Sequence, residues 1–144
     1  MYKFVFLSME SKLIQEDIPV FYVEASSFPT GISAAFEQLF SQLPDKSDRR
    51  IFGISRPENG KIVYRAAAEM TDSEEFDPTQ IMLIPKGEYA GVMVQNFQQN
   101  VNQVGMAFQK LTSLPSIDPN GYCIEWYQGQ SDVLCLVRLN LWLR

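Results

Sequence analysis

Ile18-Pro19-Val20-Phe21-Tyr22-Val23-Glu24-Ala25 and, seventy residues later, Glu88-Tyr89-Ala90-Gly91-Val92-Met93-Val94 open two passages through one order of elements. The first stretch is rich in β-branched and aromatic residues and stops at Ser26, Ser27 and Pro29, which marks a strand. From Thr30, a candidate cap, the apolar residues Ile32, Phe36, Leu39, Phe40 and Leu43 form one stripe of a helix that Pro44 closes. Segments 49–55 and 61–69 flank Arg56-Pro57-Glu58-Asn59-Gly60, whose Pro and Asn-Gly are turn chemistry for a hairpin.

The second passage repeats the pattern. Leu13-Ile14 recurs as Leu83-Ile84. A helix is expected over 97–114, with Val101, Val104, Phe108 and Leu111 as its stripe, Asn96 and Gln99 as a capping box, and Pro115 beyond its end. Strands 122–127 and 132–140 then flank Gln128-Gly129-Gln130-Ser131. Each half reads strand, helix, strand, strand, with 12–69 and 81–140 as the halves. The acidic stretch between them, with Glu69, Asp72, Glu74, Glu75 and Asp77, reads as a solvated connector over 70–80. About sixty residues bury too little surface to stand alone, so residues 1–144 are expected to form one domain. The fold class is α+β: a tandem βαββ repeat giving an eight-stranded antiparallel sheet, two helices on one face and a groove between the halves.

Composition narrows the chemistry. The 144 residues carry 12 Lys and Arg against 17 Asp and Glu, a net charge of −5, the wrong sign for a phosphate-neutralising surface, so direct nucleic-acid binding is not expected. The histidine count is zero, which removes Ser-His-Asp and Cys-His nucleophile systems and imidazole metal sites. Two cysteines, Cys123 and Cys135, make neither a disulfide framework nor a C-x-x-C pair and read as reduced thiols of a cytoplasmic protein. The apolar patch 4–7 is too short for a signal segment, and no stretch is long enough to cross a bilayer. No phosphate loop, nucleophile elbow or zinc spacing occurs, and no cofactor is called for.

What remains is carboxylates and aromatics. Ile124-Glu125-Trp126-Tyr127 places one acid in an otherwise apolar strand, and a buried acid needs a reason. By alternation Glu125 shares a face with Cys123 and Tyr127, while Ile124 and Trp126 point the other way. With the helices expected over Ile124 and Trp126, Glu125 looks out of the uncovered face. It is then either a half-exposed acid of an open sheet or the floor of an aromatic groove suited to an organic cation. Gly53 is the residue equivalent to Glu125 in the repeat, and its missing side chain would leave space for a ligand. Tyr22 and Glu24 on the first strand, Tyr64 on the last strand of the first half, and Trp126 at the groove end complete the candidate set, each with packing as its alternative role. Phe21, Val23, Phe52 and Ile54 are assigned to the core beneath the first helix.

Ile84-Pro85-Lys86-Gly87-Glu88-Tyr89-Ala90, the helix closing at Leu114-Pro115, and Tyr122-Cys123-Ile124-Glu125-Trp126-Tyr127 before a final apolar strand resemble the GyrI-like small-molecule-binding domain. That family is the effector-binding domain of certain AraC-type and MerR-type regulators and also occurs alone. The resemblance implies a tandem βαββ fold with a groove between the halves and an acidic pocket residue, which matches Glu125 here. No helix-turn-helix precedes Lys12, so a DNA-binding regulator is not expected. The leading expectation is a stand-alone module binding a lipophilic, cationic small molecule. A hydrolase opening strained rings in cytotoxic natural products is the alternative, with Glu125 as general acid or base and Tyr127 positioning a water. A third is an interaction module docking a regulator, a toxin target or a second copy through the groove or the tail 139–143.

Overall fold

The computed structural model describes residues 8–44, 48–72 and 74–140; residues 141–143 of the apolar tail and the patch 4–7 lie outside them. Strands run β1 Met9–Ile14, β2 Ile18–Glu24, β3 Ile51–Glu58, β4 Lys61–Glu69, β5 Ile81–Ile84, β6 Gly87–Val94, β7 Cys123–Gln128 and β8 Asp132–Arg138. Helix α1 spans Ile32–Gln42 and α2 spans Val101–Thr112. All eight strands form one antiparallel sheet in the order β1-β6-β8-β7-β3-β4-β2-β5. Each half therefore adds one strand, β1 or β5, ahead of the expected strand-helix-strand-strand, and these are the Leu13-Ile14 and Leu83-Ile84 segments.

The order reads the same from either edge when corresponding strands are exchanged, so the repeat is a pseudo-twofold arrangement. Ala35 and Leu39 are the buried positions of α1, and Ala107 and Leu111 are those of α2. The first strands are swapped: β1 pairs with β6 of the second half, and β5 with β2 of the first. The halves meet along β3 and β7, where Gly53 pairs with Glu125. Equivalent residues face each other there, so the pseudo-dyad passes through that pair.

Alternation divides the sheet into two faces. On one, α1 covers Phe21, Val23, Ala66 and Ala68, and α2 covers Val92, Val94, Cys135 and Val137, as two separate clusters. On the other, Ile14, Val20, Phe52, Ile54, Ile84 and Ile124 pack together without a helix. Phe52 and Ile54 thus lie on the face opposite α1, contrary to their expected place beneath it, because they alternate with Gly53. That core forms because the sheet curls on itself. β1 and β7 are three strands apart, about 14 Å in a flat sheet, yet the Lys12 ammonium sits 5.1 Å from the Trp126 ring centre.

Local chemistry departs from expectation in places. Thr30 does not cap α1: the cap position is Gly31, and the Thr30 hydroxyl pairs with Ser27 Oγ at 2.7 Å. Asn96 and Gln99 form no capping box, since Asn96 adopts φ 52° and α2 begins only after Asn100. The first hairpin turns on Asn59 and Gly60 alone, at φ 52° and 79°, while Pro57 stays in β3 opposite Ile62. The Tyr64 carbonyl accepts Ala25 N–H at 2.8 Å, so alternate β4 residues including Ile62 bond away from β3. Pro57 accordingly faces β7, whose pairing stops at Ser55, and no donor is missed.

The acidic connector is not wholly solvated. Half-buried Glu74 forms a bidentate pair with the buried Arg49 at 2.7 and 2.8 Å, while Arg50 pairs with Glu69. The Arg49 hydrogen bonds hold the Glu74 carboxyl down at about 2. No helix among the described residues is long and apolar enough to cross a membrane.

Two outcomes follow. A fragment of residues 1–72 leaves β1 without its neighbour β6 and should show no cooperative melting by circular dichroism; a stable, folded monomer would contradict the shared core. Glu74→Gln removes a charged partner of the buried Arg49, which keeps its bond to the Glu69 carbonyl, and should lower unfolding free energy by about 1–3 kcal/mol at pH 7 in urea titration. A depressed carboxyl stabilises above its unfolded value and is lost on acidification, so this difference should shrink as pH falls from about 4.5 toward 2.

Candidate ligand-binding site

Glu125 lies on the helix-covered face, not the uncovered one, because Cys123 and Tyr127 on its side join the cluster under α2 while Ile124 joins the helix-free core. It is nevertheless not sealed. Each helix packs on strands of its own half, α1 on β2 and β4, α2 on β6 and β8, and Glu125 stands between their two clusters on the pseudo-dyad. The groove between the halves is therefore a cleft between helices, floored by β3, β4 and β7.

Two tyrosines converge on the acid. Tyr64 Oη donates to Glu125 Oε1 at 2.6 Å and Tyr127 Oη donates to the same oxygen at 2.9 Å, with 3.3 Å between the hydroxyls. Gly53 makes this possible. A Cβ there would collide with the Tyr64 hydroxyl and the Glu125 carboxylate, so the space expected for a ligand holds the hydrogen bond instead.

Rings close the walls. Phe36 of α1 meets Tyr127 edge-on at 5.7 Å and Tyr64 at 6.3 Å, Phe97 lies 5.5 Å from Tyr127, and Phe28 stacks on Tyr64 at 6.0 Å. No arginine or lysine among the described residues pairs with Glu125. Oε2 accepts no bond from them, yet it keeps contact with solvent, since no fully buried side-chain polar atom lacks a partner.

Burial pushes the Glu125 carboxyl above the usual carboxylate range, outweighing the two tyrosine hydrogen bonds that pull it down. Burial and the adjacent carboxylate raise both tyrosines, so they stay protonated donors at neutral pH. Cys135, paired with Glu125 across β8, is pushed up to about 12 chiefly by burial, and is no nucleophile.

Of the six sequence candidates, the fold brings together Glu125, Tyr127 and Tyr64. Tyr22, Glu24 and Trp126 lie on the opposite face. Tyr22 donates to Thr79 O at 3.0 Å and carries Arg65 over its ring, and Glu24 pairs with that Arg65 at 3.3 Å. Trp126 packs on Phe52 beneath Lys12 and Arg50, beside a separate cavity of about 490 Å³. The site also recruits Phe28, Phe36 and Phe97, which sequence reasoning did not single out. Only Phe36 carried a signal, as part of the α1 stripe.

No protein-family model matches the chain, and no curated protein matches it in sequence. Solved structures share the fold. An integron cassette protein from the mobile metagenome of Vibrio cholerae aligns with a TM-score of 0.64 at 12% identity, over 91% of this chain and 95% of that one. A protein from Listeria innocua described as a hydrolase aligns with a TM-score of 0.58 at 12% identity, over 92% of each chain. At such identity the likeness establishes the fold alone.

Gly53→Ala should force the Tyr64 hydroxyl off Glu125 and lower stability by about 1–3 kcal/mol, the usual cost of overpacking. Thermal unfolding checks this. Tyr64→Phe combined with Gly53→Ala should recover only part of the loss, because the hydroxyl is gone while the ring Cζ and the Glu125 carboxylate stay close; no recovery would mean that the hydroxyl is not the dominant clash.

Proposed function

We propose that the chain is a small-molecule-binding domain whose cleft takes a lipophilic organic cation with Glu125 as counter-ion. The observation that carries this is a solvent-reachable carboxylate with one oxygen held by two tyrosines whose rings pack against Phe28, Phe36 and Phe97, and with no cationic partner among the described residues. An acid so placed carries a desolvation cost that a ligand cation would offset, and ring faces add cation–π attraction. The reading agrees with the GyrI-like resemblance of the 84–90 and 122–127 segments, in which an acid at this position serves the pocket. A relation to regulator effector domains is part of the same proposal.

A second reading is hydrolysis, favoured by the neighbour described as a hydrolase and by the upward shift of Glu125, which suits a general acid or base. Glu125 would exchange a proton with a substrate, and Tyr127 would position a water. Among the described residues no second acid is bonded to Glu125, which favours binding over hydrolysis.

Calorimetry with a matched cationic and neutral aromatic pair tests this. Glu125→Gln should weaken the cation by about 10- to 100-fold, roughly 1–3 kcal/mol for a charge-assisted contact, and the neutral analogue much less; equal losses would sink the counter-ion role. Hydrolysis predicts instead retained binding with lost turnover.

The pH dependence has a fixed sign. Cation affinity in the wild type should rise as pH climbs through the raised Glu125 value, at a pH above the ordinary carboxylate range. A raised acid favours folding while protonated and loses that contribution as pH rises. Glu125→Gln should therefore gain stability relative to wild type across the same window; a pH-independent difference would refute the buried-acid account.

A further inference from the structure

We infer that the cleft continues past Phe28 into a tail-binding groove, so that the ligand is an elongated amphiphile with its cationic head at Glu125 and a hydrocarbon tail laid over Ile62. This rests on the counter-ion reading and specifies its ligand. Ile62 follows Tyr64 on the same face of β4, about 7 Å further along the strand. The Phe28 ring that stacks on Tyr64 also lines a cavity of about 490 Å³ together with Ala25, Ser26, Ser27, Ile62 and Val63. Phe28 thus links Tyr64, which holds Glu125, to that cavity.

Both apolar groups at the junction face water. Phe28 is 47% and Ile62 41% exposed, among the large hydrophobic side chains left uncovered by the fold. The strand geometry explains the opening. β2 pairs with β4 only as far as Glu24 opposite Arg65, and the chain then turns away through Ser26 and Ser27, leaving β4 from Lys61 to Val63 without a neighbour on that side. An alkyl chain leaving the carboxylate along β4 would meet Phe28 and then Ile62. Glu24 and Lys61, of opposite charge, line the same cavity.

Affinities of N-alkylpyridinium ions from ethyl to octyl, measured by calorimetry on wild type, Ile62→Thr and Glu125→Gln, test the groove. Threonine keeps β-branching on an exposed strand position, so folding is not at stake. In wild type, affinity should rise by up to about fourfold per methylene once the tail passes Phe28, the increment for burying a methylene. Ile62→Thr should flatten that rise while leaving the ethyl homologue unchanged, and Glu125→Gln should weaken every homologue by a similar factor. No rise in wild type, or an equal rise in Ile62→Thr, would overturn the groove and leave the counter-ion reading standing. A rise that Ile62→Thr flattens but Glu125→Gln does not shift would overturn the counter-ion role alone. Absence of binding by every homologue would overturn both.

Discussion

The pairing of β3 with β7 is the constraint from which the rest follows. It joins the two halves, carries the pseudo-dyad, and sets a residue without a side chain against a carboxylate. A methyl at position 53 would close the space in which the Tyr64 hydroxyl reaches Glu125. The polar centre of the cleft is therefore fixed by backbone register, on strands that are central in the sheet and cannot slip without turning every side chain to the other face.

Curling of the sheet supplies the second requirement. One face must pack on itself for two short helices to suffice on the other, and Ile14 and Ile84, from the two edge strands, meet in the same helix-free core. The helices are then free to stand apart over their own halves. A cleft between them costs no core, because the aromatic side chains lining it still rest on one another.

Much of this was legible in the sequence. The strand-helix-strand-strand order of each half, the hairpins and the repeat followed from β-branched runs, a 3.6-residue stripe and Asn-Gly chemistry, which are local signals, whereas the short leading strands β1 and β5 did not. The alternation that sets Glu125 beside Tyr127 was also readable. Which face the helices cover was not, since both faces of β7 are apolar and only long-range pairing decides between them. For the same reason Tyr22 and Glu24 were grouped with Glu125: parity within a strand is visible, but parity between strands depends on register, whereas Trp126, of opposite parity on β7 itself, was considered only for the end of the groove. Phe28 and Phe97 sit outside regular helix and strand, where no periodicity marks a residue as part of a wall. The Arg49–Glu74 pair was hidden in an acidic run whose composition suggests water.

The location of Glu125 on an axis rather than beside one has a bearing on stoichiometry. A site displaced from a twofold axis occurs twice, whereas a site upon it occurs once and is shared by both halves. Each half here contributes one hydroxyl, Tyr64 and Tyr127, to a single oxygen, and Gly53 stands where a second acid would otherwise face the first. Repetition of the architecture thus leaves a single acid–tyrosine cluster shared by the two halves, with a polarity that the backbone symmetry does not possess.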